Sequence, residues 1–127
     1  MDAPAMLALC DELDLASINR IPLALGMLSG RWTRNTQLPP DDRRSQFFEV
    51  EAFLQDLDKV QAMRQVLTRD GRSYVQAALG WIWARSPRTI PVPGFRTIEH
   101  VKEDAQAMCF GPLNEEQMGE AQRFLGR

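Results

Sequence analysis

Apolar positions recur along this chain in two rhythms, which divide it into helices and two short strands. From Phe48 to Arg69 the residues Val50, Phe53, Leu54, Leu57, Val60, Met63 and Leu67 return at intervals of three and four. That spacing gathers them on one face of an amphipathic helix, and Gly71 stands where a left-handed residue ends one. Ser73 caps a second helix that runs to Arg85 and stops before Ser86-Pro87. Ile98, Val101, Ala105 and Met108 predict a helix over Thr97 to Met108. Asn114, with Gln117 three residues on, forms a capping-box pattern that opens a last helix reaching Gly126. At the other end a short helix opens at Asp2 or Pro4, carries Met6, Leu7 and Leu9, and closes in Asp11, Glu12 and Asp14. Two apolar runs, Leu15–Ile18 and Thr89–Val92, are too short for helices, lead into Pro and Gly, and predict strands. The polar run Thr33 to Ser45, with Pro39-Pro40-Asp41-Asp42, reads as an exposed loop.

The stretch after each strand carries the candidate chemistry. In TIPVPGFRTIEHVKED (Thr89 to Asp104) a strand meets Pro93-Gly94, then Arg96, then Thr97 at a helix start. Gly94 can take positive φ at such a turn. The first amides of the helix and its dipole then favour an anion, with the planar fork of Arg96 at the mouth. The alternative is a surface connection whose Arg is merely solvated. In LASINRIPLALGMLSGR (Leu15 to Arg31) a strand again ends in a turn, at Pro22, followed by Gly26, Ser29 and Gly30. Small residues there let backbone N–H groups approach a ligand closely. Two strand-then-loop units, each with a neighbouring basic residue (Arg20, Arg96), suit the carboxyl end of a parallel sheet, where ligands collect. Neither run has the G-x-G-x-x-G or P-loop spacing.

Composition narrows the classes. A hydrophobic content of 44% and a charged content of 25% suit an ordinary globular segment. A net charge of −2 offers no basic footprint for nucleic acid. No window has the apolar length of a membrane span, and the N-terminus lacks a secretory pattern, so a cytoplasmic setting is expected. Cys10 and Cys109 have no metal or disulfide spacing and are expected as buried thiols. Trp81 and Trp83 are expected to pack, one inward and one at a rim.

The pairing of NRIPLALGMLSGRW with a downstream TIPVPGFRTIEHVKED resembles the C-terminal part of an aldo-keto reductase. AALGWIWAR (Ala77 to Arg85) and FGPLNEEQM (Phe110 to Met118) extend the resemblance from Leu7 to about Leu125. That family folds as a (β/α)8 barrel and reduces carbonyls with NADPH. The resemblance implies one partial domain, residues 1–127, of α/β class but mostly helical, with two parallel strands and about six helices. It also implies positions for the cofactor. Asn19 and Arg20 would end the seventh strand and face the nicotinamide. Pro22, Leu23, Ala24 and Gly26 would form the loop over the pyrophosphate. Gly94, Phe95, Arg96 and Thr97 would hold the 2′-phosphate after the eighth strand, with His100, Glu103 and Asp104 near the phosphate and adenine. The loop Thr33 to Ser45 would partly cover the cofactor. Three positions depart from the common pattern: Ile21 replaces a Ser, Asp104 an Asn, and His100 an Arg. Each points to weaker binding or an altered preference.

The resemblance also implies an absence. The family's Tyr, Lys, Asp and His come from the first half of the barrel, whereas this chain has Tyr74, His100, Lys59 and Lys102 as its whole stock of Tyr, His and Lys. None falls at a strand end, so no catalytic residue is assigned. Such a barrel takes about 250 residues and eight strands. Two strands alone leave open edges. The chain is then an ordered part of a longer protein, a truncated product that self-associates as a dimer or larger species, or a repacked mostly α fold. Two functions remain: the NADP-binding part of an aldehyde or ketone reductase, or a non-catalytic remnant with vestigial nucleotide or phosphate binding.

Overall fold

The computed structural model describes residues 3–125. In chain order these form α1 (Ala3–Glu12), β1 (Ser17–Arg20), a 3-10 segment Ala24–Ser29, a second one Arg43–Glu49, α2 (Glu51–Leu67), α3 (Tyr74–Arg85), β2 (Thr89–Val92), α4 (Ile98–Phe110) and α5 (Glu115–Phe124). The expected start at Asp2 and end at Gly126 lie outside the described residues.

β1 and β2 pair in parallel, with Ser17 beside Thr89, Ile18 beside Ile90, Asn19 beside Pro91 and Arg20 beside Val92. Among the described residues they form a two-stranded sheet whose outer edges are unpaired. The pleat sorts their side chains. Ser17, Asn19, Thr89 and Pro91 lie on the better-covered face, while Ile18, Arg20, Ile90 and Val92 are exposed. Ile18 is 71% exposed, far too much for an isoleucine whose strand has a packed partner layer on that side.

β1 therefore sits two residues later than the apolar run Leu15–Ile18 predicts. Three of its four residues are polar: Ser17 and Asn19 lie on the better-covered face, and Arg20 ends the open one. β2 spans the expected Thr89–Val92. α2 begins at Glu51 rather than Phe48, because Phe47 and Phe48 leave the helical path in the 3-10 segment to meet Trp32 and Phe53. α4 starts after Thr97, whose hydroxyl accepts from the His100 N–H as an N-cap, and runs on to Phe110.

Helices α2, α3 and α5 enclose the main core of Val60, Met63, Leu67, Tyr74, Ala77, Leu113 and Ala121. A second cluster of Val75, Leu79 and Ala107 joins α3 to α4. Trp81 packs against the first and Trp83 against the second. Both capping boxes form, Ser73 with Gln76 and Asn114 with Gln117. Gly71 takes φ 89° in the turn beyond α2. Cys10 is buried, but Cys109 is exposed because it points off the outer side of α4. Among the described residues no helix is long and apolar enough to cross a membrane.

Candidate functional site

Both strands end at a shared groove of about 670 Å³ at their carboxyl ends. One wall follows β1. There the chain takes a sequence of left-handed conformations: Ile21 (φ 57°), Ala24 (47°), Leu25 (59°), Gly26 (114°) and Gly30 (71°). Such φ values are costly for L-residues, most of all for β-branched Ile21. Buried Pro22 anchors this turn, and Leu23 C=O accepts from the N–H groups of Gly26 (2.9 Å) and Leu28 (3.2 Å). Bracing from elsewhere holds the remainder. Arg44 Nη1 donates to Leu25 O (3.1 Å), Arg64 Nη1 to Gly30 O (3.2 Å), and Gln61 Nε2 to Trp32 O. A Cβ on Gly26 would come within 2.8 Å of the Trp32 ring, so glycine is required there by space as well as by φ.

The other wall follows β2 and is relaxed. Gly94 does not take positive φ, contrary to the turn its sequence predicts, and the space around it is open. Thr97 is extended as the cap of α4, and no residue from Pro93 to Thr97 takes positive φ. The Arg96 N–H donates to His100 Nδ1 (3.3 Å) and the His100 N–H to Thr97 Oγ1 (3.2 Å).

Three arginines and the histidine gather in the groove. Arg44 is committed to Asp42 through two nitrogens and lies over the Trp32 ring at 5.3 Å. Asp42 is held well below the usual carboxylate range, chiefly by its bonds to Arg44, with the charge of Arg96 a smaller cause. Arg31 reaches His100 Nε2 (2.7 Å) and Glu103 Oε2 (3.6 Å). Among the described residues the exposed guanidinium of Arg96 has no hydrogen-bond or ion-pair partner. At the far end Asp104 has a buried Oδ2 without a partner, and burial, then the charge of Glu103, raises its pKa.

Of the residues singled out from sequence, Pro22, Leu23, Gly26, Gly94, Phe95, Arg96, His100, Glu103 and Asp104 line the groove. Asn19, Arg20, Ala24 and Thr97 do not. Asn19 is half-buried under the sheet with an unpartnered Oδ1, Arg20 is on the exposed strand face, Ala24 points outward, and Thr97 serves as the cap. Sequence reasoning missed Arg31, Trp32 and Arg44 as lining residues. The signals were the basic residue directly after Gly30 and the arginines of the polar loop, which does fold onto the groove. Tyr74 lies away from the strand ends on α3. Its hydroxyl donates to Val60 O (2.7 Å) and burial pushes its pKa up to about 12. Lys59 pairs with Asp56 on α2, and Lys102 is exposed on α4. No cluster suited to a metal ion occurs among the described residues.

Parallel strands joined through helices, with an arginine-lined groove at their carboxyl ends, define an arc of a parallel α/β barrel. The chain belongs to the aldo/keto reductase family, whose sequence model matches residues 1–125. It is 30% identical to the chloroplastic pyridoxal reductase of Arabidopsis thaliana over 87% of this chain and 29% of that protein. It is 24% identical to the NADP(+) aldo-keto reductase yakc of Schizosaccharomyces pombe, over 78% of this chain and 30% of that one. Among solved structures, the glycerol dehydrogenase AKR11B4 of Gluconobacter oxydans superimposes with a TM-score of 0.80 at 24% identity, over 95% of this chain and 37% of the other. The chain thus spans about a third of the length of these relatives.

Proposed function

We propose that this chain, as a single partial domain, is the NADP-binding part of an aldehyde or ketone reductase and reduces no carbonyl by itself. The observation that carries the reading is the unpartnered fork of Arg96 beside the N-terminus of α4, facing a loop whose backbone is bent to approach a ligand. Gly94, Phe95, Arg96, Thr97 and His100 would hold the 2′-phosphate. Pro22, Leu23, Ala24 and Gly26 would run along the pyrophosphate, and Glu103 and Asp104 would meet the adenine. Asn19 and Arg20 would face the nicotinamide end. The orphaned acceptor of Asp104 suits a base that brings a donor, such as an exocyclic amine. Charge-assisted contacts of about 1.5–3 kcal/mol give weak binding by this part alone, on the order of millimolar. The burial of Tyr74 and the place of His100 in the groove support the reading that this chain alone lacks the proton donor a carbonyl reduction needs. The two free thiols fit a reducing compartment such as the cytoplasm.

The test is titration with 2′-phosphorylated and unphosphorylated adenine dinucleotides, paired with aldehyde-dependent NADPH oxidation. Preference for the phosphorylated form, lost in Arg96→Ala, with no turnover, is the expected result. Equal affinities or steady turnover would refute it.

A second reading, a self-associating remnant with vestigial nucleotide binding, draws on the exposed Ile18, Ile90 and Val92 beside two unpaired strand edges. Light scattering distinguishes it: a dimer or larger species supports this reading, and a monomer at high concentration removes it.

A further inference from the structure

The ladder between the two strands fixes which backbone groups each outer edge offers. Ser17 stands beside Thr89 in register, and its N–H donates to Arg88 O (2.8 Å). Along a strand, successive residues turn their N–H and C=O to opposite sides. Ser17 and Asn19 therefore turn theirs to β2, and Ile90 and Val92 turn theirs to β1. The outer edge of β2 falls to Thr89, Pro91 and Pro93. Both prolines lack an N–H, and the Thr89 N–H donates to Ser86 O (3.3 Å). This edge offers carbonyls but no free donor, a common protection against strand addition. The outer edge of β1 falls to Ile18 and Arg20, which carry both N–H and C=O. One edge of the sheet is closed and the other is open.

Between copies of this chain, only one edge-to-edge pairing exchanges hydrogen bonds in both directions. The β2 edge has no donor to give, whereas β1 against β1 both donates and accepts. A two-fold axis normal to the sheet sets two like strands antiparallel, so the contact closes on itself as a dimer. Resting on the self-association reading above, we propose that two copies join through β1 alone, antiparallel and centred on Ile18, into one sheet ordered β2-β1-β1-β2. Ile18 of each copy then lies directly opposite its equivalent, an apolar cross-strand pair. Arg20 comes beside the second copy's Ala16 and diagonal to the second copy's Asp14. That carboxylate is exposed, is shared with Arg88 and follows Asp11 and Glu12 in the chain. A register centred on Asn19 would put Arg20 diagonal to its own equivalent, and a parallel pairing would put the two side by side. Both alternatives bring like charges together. Charge and apolar matching thus select the same register.

The test is disulfide cross-linking of the full chain in a Cys109→Ser background, since Cys109 is exposed and Cys10 is buried. Directly opposed residues of a hydrogen-bonded antiparallel pair stand about 5.5 Å apart at Cα, within disulfide range. Ile18→Cys should therefore give a covalent dimer as its main product. Ile90→Cys lies on the same exposed face, but two strands would separate it from its equivalent by about 14 Å, too far to bridge. Ile18→Pro removes an outward donor and leaves the Ser17 and Asn19 donors of the ladder in place. Its dimer dissociation constant, by sedimentation, should rise at least roughly tenfold with the helical circular dichroism unchanged. Should that variant fail to fold, Arg20→Glu on the exposed face serves instead, weakening the dimer at low salt and less at high salt. A dimer in which Ile18→Cys does not cross-link, or Ile90→Cys does so as readily, would overturn the β1 contact and leave self-association standing. So would association that runs past the dimer to open-ended species. A monomer at high concentration would remove both readings.

Discussion

The two loops after β1 and β2 begin from similar ingredients, a proline, a glycine and a basic residue, and arrive at opposite kinds of backbone. The first takes five left-handed residues, three of them not glycine, and is braced by Arg44, Gln61 and Arg64 reaching in from distant segments. The second takes none and is set by a local cap at Thr97. One wall of the groove is shaped by the fold around it and the other by its own sequence. Damage to the first should therefore be read in stability, and damage to the second in ligand affinity.

Gly26→Ala should give the largest effect. Positive φ and the 2.8 Å approach to Trp32 together should cost about 2–4 kcal/mol, seen as a lower urea midpoint. A midpoint within error of wild type would end the distinction between the loops. Arg96→Ala should come next, and in the other currency: roughly 10- to 100-fold weaker binding of 2′-phosphorylated adenosine nucleotides, by calorimetry, with an unchanged urea midpoint.

Tyr74→Phe tests the support under the first loop, where a Cβ on Gly30 would stand 3.0 Å from Tyr74 Cβ. Loss of the bond to Val60 O should cost about 1 kcal/mol. Burial raises the phenol in the folded state, so the unfolded chain ionises first as pH rises. Wild-type stability should accordingly fall between the ordinary tyrosine pKa of about 10 and the folded value of about 12. Tyr74→Phe should flatten that fall, as denaturant titrations at alkaline pH will report. The smallest effect belongs to Gly94→Ala, within about 0.5 kcal/mol of wild type, since nothing lies near its Cβ and no positive φ is needed. A large loss there would mean that the second loop is as constrained as the first.

The same division explains what could be read from the sequence. The Ser73 cap, the Asn114–Gln117 capping box and Thr97 at α4 are local devices whose residues lie within one turn of each other, and each forms as expected, with Gln76 completing a second box at Ser73. The strand Thr89–Val92 was equally legible. β1 was not, because its polar Asn19 and Arg20 depart from an apolar pattern for reasons set by the sheet's two faces. The left-handed Ile21, Ala24 and Leu25 are not residue types that mark such a turn in sequence; the Ala24 N–H donates to Ile21 O, and Arg44 braces Leu25 O from 19 residues away. Arg31 and Arg44 were missed for the same reason, since their place in the groove depends on how loop and sheet meet α4. Most residues of the second wall were named from the sequence because Gly94, Phe95, Arg96, His100, Glu103 and Asp104 lie within one short run of the chain.

The parallel register of Ser17 with Thr89 has a consequence in time. More than half of the chain separates the two strands, so β1 leaves the ribosome long before its partner exists. At about 5–20 residues per second, the wait is roughly 4 to 15 seconds. Contacts of such long range also form late once the chain is complete, after the helices have closed on their neighbours. Leu15, Ile18 and Ile21 stay exposed even after β2 has paired, so this apolar segment is uncovered both during synthesis and in the folded chain. The charged neighbours Asp11, Glu12, Asp14 and Arg20 flank it, the placement by which charges oppose aggregation of an apolar strand.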